Sequence, residues 1–108
     1  MKLIIGGAYQ GKQQYAKEHY SDMCLITDFH LQVLEWLKKE IDPVSYVKKN
    51  LGDYHDKVII TDDISCGVVP ADPLMRNWRE AMGHTLTLLS KESEEVVRVV
   101  CGIGMRLK

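Results

Sequence analysis

The chain has 108 residues, 45% of them hydrophobic and 27% charged, with a formal net charge of −1. That balance describes one ordinary folded domain, and no run of Lys or Arg advertises nucleic acid or an anionic membrane surface. No apolar stretch approaches the roughly eighteen residues of a membrane span, and Leu3-Ile4-Ile5 is too short for a signal-peptide core.

Cys24, Cys66 and Cys101 are scattered and never form a CxxC pair. Such a set predicts reduced thiols in the cytoplasm and argues against a disulfide framework or a zinc site. No repeat, low-complexity tract or linker interrupts the chain, so residues 1–108 read as a single domain.

In chain order, Lys2–Ile5 reads as a short buried strand that runs into a glycine loop, Gly6-Gly7-Ala8-Tyr9-Gln10-Gly11-Lys12. A helix over Lys12–Tyr20 follows, then a weaker strand at Met23–Thr27. Leu34, Leu37 and Ile41 make one stripe of a helix over Leu31–Ile41. Asp42-Pro43 restarts a helix, Asp as N-cap and Pro in the first turn, with Val44, Val47 and Leu51 inward and Gly52 as its stop. Lys57–Thr61 is a strand. Asp72-Pro73 repeats the start signal for a longer helix to about Ser90, whose apolar side carries Leu74, Trp78, Ala81, Thr85, Leu88 and Leu89. Val96–Cys101 closes the series as a strand.

The order β-α-β-α-α-β-α-β predicts an α/β fold: a P-loop-type, mainly parallel sheet of about four strands flanked by helices in three layers. In such sheets ligands sit at the carboxyl ends of the strands, where the glycine loop, Asp28 and Asp62-Asp63 all fall.

Gly6–Lys12 has the GxxxxGK spacing of a phosphate loop. Its glycines let the backbone curl so that N–H groups face phosphates, the next helix adds its positive end, and Lys12 reaches the terminal phosphates. Gly6, Gly7, Ala8, Tyr9, Gln10, Gly11, Lys12 and Gln13 are thus the expected nucleotide-binding residues, with Lys12 as the catalytic cation. The alternative is a glycine turn that only joins strand to helix. Gln13 stands where a Ser or Thr hydroxyl normally binds Mg²⁺, and an amide is a poor substitute in the metal's tight octahedral shell. Asp28 and Asp63 are the expected metal-side carboxylates, Asp63 also as a catalytic residue, with Asp62 a third candidate. Taken singly, each could merely cap a turn.

His19, His30, His55 and His84 show no ligand spacing, which predicts exposed or hydrogen-bonded surface roles. Trp36 and Trp78 lie on helical patterns as packing residues, and Arg76 and Arg79 read as solvated charges.

The second half carries Ile64-Ser65-Cys66-Gly67-Val68-Val69-Pro70, then Arg76-Asn77-Trp78-Arg79-Glu80 with Gly83, then Val96–Val100, Gly102 and Arg106-Leu107-Lys108. With Gly6, Gly7, Gly11 and Lys12, this order resembles the adenosylcobinamide kinase/adenosylcobinamide-phosphate guanylyltransferase family of cobalamin biosynthesis. That family's pattern runs GGxxSGKS, NEVGxGxVP, RxxRDxxG, a strand, Gly and a closing Leu-Lys. Here both loop serines are replaced, by Gln10 and Gln13, and Asn-Glu becomes Asp62-Asp63. The family's guanylylated histidine lies in an HxxxRP-type segment that has no counterpart in this sequence.

The resemblance implies a GTP- or ATP-binding protein, with Mg²⁺ argued against by Gln13 and transferase chemistry impaired or lost. The alternatives are a minimal kinase acting on a cobinamide-type alcohol and a non-catalytic α/β interaction protein. Expected partners are the nucleotide, a cobinamide-type substrate and further copies of the chain as a homo-oligomer.

Overall fold

The computed structural model describes residues 1–64 and 71–108. The Cys66 thiol and the Gly67–Pro70 part of the family-like string lie outside the described residues. The elements are β1 (Lys2–Gly6), α1 (Lys12–His19), β2 (Cys24–Ile26), α2 (Phe29–Lys38), α3 (Pro43–Lys49), α4 (Leu51–Tyr54), β3 (Lys57–Asp62), α5 (Pro73–Glu92), β4 (Glu95–Val100) and β5 (Ile103–Arg106).

Among the described residues five strands form one sheet in the order β2-β3-β1-β4-β5. β1 pairs in parallel with β3 and β4, β2 pairs in parallel with β3, and β5 returns antiparallel along β4. This is the expected α/β arrangement, consistent with a P-loop-type domain.

Side-chain alternation along the strands feeds two cores, one on each sheet face. Leu3, Ile59 and Val96 join Phe29, Val33, Trp36, Val47, Met82, Leu86 and Leu89 beneath α2, α3 and α5. Ile4, Val58, Ile60, Val97 and Val99 pack on the other face with Ala16 and Tyr20 from α1. Three layers result, with α1 the one helix on its side among the described residues. No helix among the described residues is long and apolar enough to cross a membrane.

Both Asp-Pro start signals act as read. Asp42 accepts from the Val44 N–H at 3.2 Å and Asp72 from the Leu74 N–H at 2.8 Å, each with Pro in the first turn. Several boundaries differ from the reading by a residue, and three helix ends by more. The second helix begins at Phe29, because Asp28 turns the chain in the left-handed region (φ 53°). It ends at Lys38, where Glu40 (φ 59°) places the Ile41 N–H on the Trp36 carbonyl and its own N–H on the Leu37 carbonyl. Gly52 does not stop the third helix; the break is at Asn50, whose side-chain amide donates to the Tyr46 carbonyl at 2.8 Å. A four-residue helix, α4, then carries the chain through Gly52.

The largest departure is β5. β4, read as the last strand, ends at Val100, and Cys101 (φ 51°) and Gly102 (φ 78°) make a two-residue turn of type I′. The missed signal was Gly102 in the second turn position. Cys101 before it is not a residue that announces a left-handed backbone.

Tyr20, at the end of α1, is buried, and its hydroxyl donates to the Glu95 carboxylate at the start of β4. Burial first, and then that carboxylate, raise its ionisation well above the ordinary phenol value; burial also raises Tyr54. A raised folded-state pKa means the native protein holds the proton more tightly than the unfolded chain. Stability is therefore intact below about pH 10 and falls as pH climbs beyond it. In a spectrophotometric titration Tyr20 and Tyr54 should ionise above the ordinary phenol range. Tyr20→Phe should lower stability by about 1–2 kcal/mol at neutral pH and flatten the alkaline decline in denaturant melts.

Candidate functional site

The register of the parallel sheet sets Gly6, the last residue of β1, opposite Asp62, the last residue of β3. The glycine loop therefore begins where a carboxylate from the neighbouring strand ends. A Cβ on Gly6 would sit 2.6 Å from the Val99 carbonyl oxygen, so only glycine lets β1 and β4 approach this closely. Beyond it, Tyr9 (φ 59°, fully exposed) and Gly11 (φ 88°) take left-handed backbones. Such positions curl a loop into the concavity from which backbone N–H groups bind anions. Gly11 also opens α1, whose first turn has no side-chain cap and no acid, leaving the helix's positive end uncompensated.

The loop is tied to the β4–β5 turn by Gln10. Its side-chain oxygen accepts the Cys101 N–H and its carbonyl accepts the Gly102 N–H, each at 2.7 Å. A Gln at this position thus has a structural use that a shorter Ser would not reach.

Lys12 is 8% exposed, and its Nζ donates to the Gly7 carbonyl at 2.6 Å and meets the Asp62 Oδ1 at 2.6 Å. A nearly buried ammonium needs such partners, because desolvation would otherwise drive off its charge. The other Asp62 oxygen lies 3.5 Å from His30 Nε2, while the Asp62 N–H donates to His30 Nδ1 at 3.1 Å. Above them opens a cleft of about 400 Å³ lined by Ala8–Gln14, Asp28 and Ile60–Asp62.

Of the residues expected from the sequence, Ala8, Tyr9, Gln10, Gly11, Lys12, Gln13 and Asp28 line this cleft, and Gly6 and Gly7 lead into it. The Asp28 carboxylate makes no capping bond to the helix it opens, although its backbone carbonyl accepts the Leu31 N–H at 3.0 Å. Asp63 lies elsewhere: its N–H donates to the Gly6 carbonyl, and its mostly buried carboxylate is 3.9 Å from Arg98. Strand alternation explains this, since neighbouring residues at a strand end point to opposite faces. The carboxylate facing Lys12 is that of Asp62. Sequence reasoning missed His30, which is buried (7% exposed) inside the site; His19, His55 and His84 are exposed as expected. The available signal was position: His30 stands in the first turn after the strand beside β3.

A family model described as Cobinamide kinase / cobinamide phosphate guanyltransferase (CobU) matches residues 25–107. The chain belongs to the CobU family. In this family member the matched segment carries Asp28, His30 and Asp62, whereas the glycine loop and Lys12 precede it. The chain is also similar to the bifunctional adenosylcobalamin biosynthesis protein CobU of Salmonella typhimurium and to that of Escherichia coli. Each is 35% identical over 51 residues, an alignment covering 47% of this chain and 28% of the relative. The aligned part of the chain thus spans little more than a quarter of either relative's length.

Gly6→Ala should lower stability by about 2–3 kcal/mol, because the Val99 carbonyl is backbone and cannot swing aside. In amide exchange the loss should concentrate at the ends of β1 and β4; an unchanged melting temperature would contradict the packing described.

Proposed function

We propose that the cleft binds the phosphates of a purine nucleotide, ATP or GTP, and that this CobU-family chain serves the cobinamide branch of cobalamin biosynthesis. The observation that carries the reading is the buried Lys12 ammonium at the mouth of a curled glycine loop, with the uncapped start of α1 beside it. Nothing in ordinary packing calls for a lysine there. An incoming phosphate offers Lys12 a more highly charged partner than Asp62, and the backbone cradle supplies the remaining contacts.

Gln13 lines the cleft but brings an amide where a metal-binding hydroxyl would stand, and Asp62, the carboxylate nearest the loop, is engaged by Lys12. The donor set fits a bound phosphate better than a Mg²⁺ ion, so transferase chemistry is weakened and binding is retained. One observation favours a second reading, a kinase acting on a cobinamide-type alcohol. Asp28 and Asp62 both line the cleft, and on nucleotide arrival Asp62 becomes available for a hydrated cation or an acceptor hydroxyl.

Thermal-shift titrations with ATP and GTP, each with and without Mg²⁺, test both. At a hundred times Kd a bound nucleotide should stabilise the fold by about 2.7 kcal/mol. Lys12→Ala should abolish that shift. Asp62→Asn, which removes the competing anion, should tighten metal-free nucleotide by roughly tenfold. A shift that requires Mg²⁺ favours the kinase. No shift with either nucleotide would remove both readings.

A further inference from the structure

We infer that His30 is a positioning residue: it divides the Asp62 carboxylate, keeping one oxygen for itself, and so sets how firmly Asp62 holds Lys12. The inference rests on the nucleotide reading above and names the residue that tunes that site.

The imidazole meets Asp62 at two points, through one hydrogen bond and one longer contact. Its Nδ1 accepts the Asp62 backbone N–H at 3.1 Å, so Nδ1 carries no proton. The ring proton is therefore on Nε2, which faces Asp62 Oδ2 at 3.5 Å. Oδ1 is left to Lys12 at 2.6 Å.

The ring is itself held. Trp78 of α5 lies against it with centroids 6.3 Å apart and planes 23° from parallel, and the Trp78 indole N–H donates to the His30 carbonyl at 2.8 Å. A chain of contacts therefore runs from α5 through α2 and β3 to the lysine of α1. Both ring nitrogens face Asp62, so His30 acts on Lys12 through that carboxylate.

The consequence follows from carboxylate geometry. An Asp with both oxygens free can take an ammonium with both, which strengthens the pair and withdraws Lys12 from an arriving phosphate. The Nε2–H edge facing Oδ2 at 3.5 Å occupies the space beside that oxygen and leaves Asp62 one strong contact, at Oδ1. Lys12 then stays fixed in place yet can exchange Asp62 for a phosphate, while His30 keeps the carboxylate on the cleft floor.

The test is a double-mutant cycle on metal-free ATP and GTP affinity, measured by calorimetry. In His30→Asn the side-chain oxygen takes the place of Nδ1 and keeps the Asp62 N–H bond, but its amide N–H groups fall short of the Nε2 position beside the carboxylate. It should weaken nucleotide binding by about fivefold. In an Asp62→Asn background the same substitution should change Kd by less than about twofold. His30→Gln, whose amide reaches the position of Nε2, should return affinity to within about twofold of the parent. Equal losses in both backgrounds, or no rescue by Gln, would show that the ring only packs and would overturn the inference.

A second measurement does not need a nucleotide. Nitrogen-15 spectra of the parent protein should show His30 protonated at Nε2 and bare at Nδ1, with the Nε2–H resonance displaced in Asp62→Asn. A proton on Nδ1, or a resonance indifferent to Asp62, overturns the inference even where His30→Asn fails to fold. Failure of ATP and GTP to bind the parent, with these spectra as expected, would instead remove the nucleotide reading alone.

Discussion

The parallel pairing of β1 between β3 and β4 is the constraint from which the site follows. It aligns Gly6 with Asp62, so a loop that must turn sharply begins level with a carboxylate on the next strand. The same pairing presses Gly6 against the Val99 carbonyl, which excludes any side chain at the loop's first position. Because β1 is buried on both faces, its ends cannot drift without opening two cores at once. The loop therefore stands on the stiffest part of the sheet, which is where a binding site gains most from being held before the ligand arrives.

Electrostatics at the strand ends form the second level. Lys12 is buried, and the protein stabilises its charge with a carbonyl and a carboxylate instead of water. Asp62 in turn meets that ammonium with one oxygen and faces the His30 imidazole at 3.5 Å with the other. The arrangement is a short relay of partners, each satisfied by a neighbouring protein group. One partner, Lys12, faces a cleft large enough for phosphates. Gln10 adds a mechanical tie, fixing the loop to the turn between β4 and β5. Both substituted loop positions can thus be placed: Gln10 braces the loop, whereas Gln13 lines the cleft without supplying a hydroxyl.

Much of the fold was legible because its signals are local. The apolar runs of β1, β3 and β4, the two Asp-Pro starts and the glycine spacing all act within a few residues of themselves. Where the reading slipped, a neighbouring contact had overridden a local preference. Asn50 ended a helix that Gly52 was expected to end, by donating to a carbonyl one turn back. Cys101 left the strand because the hairpin needed a left-handed residue there and Gly102 could complete the turn. β5 has exposed Ile103 and Met105, a pattern too short and too mixed to separate from a tail in sequence alone.

By itself the sequence determined the α/β class, the order of the principal elements and the loop with Lys12 at its end. Spacing and propensity suffice for these, since each is decided by residues adjacent in the chain. The tertiary structure alone decided which carboxylate meets the lysine, and that His30 holds it. Asp62 and Asp63 are equivalent neighbours until strand alternation sends one to Lys12 and the other to Arg98. His30 is 32 residues from the backbone N–H it accepts and 48 from the tryptophan that donates to its carbonyl. No local pattern records such distances; only the register of the sheet and the packing of α2 on α5 bring them together.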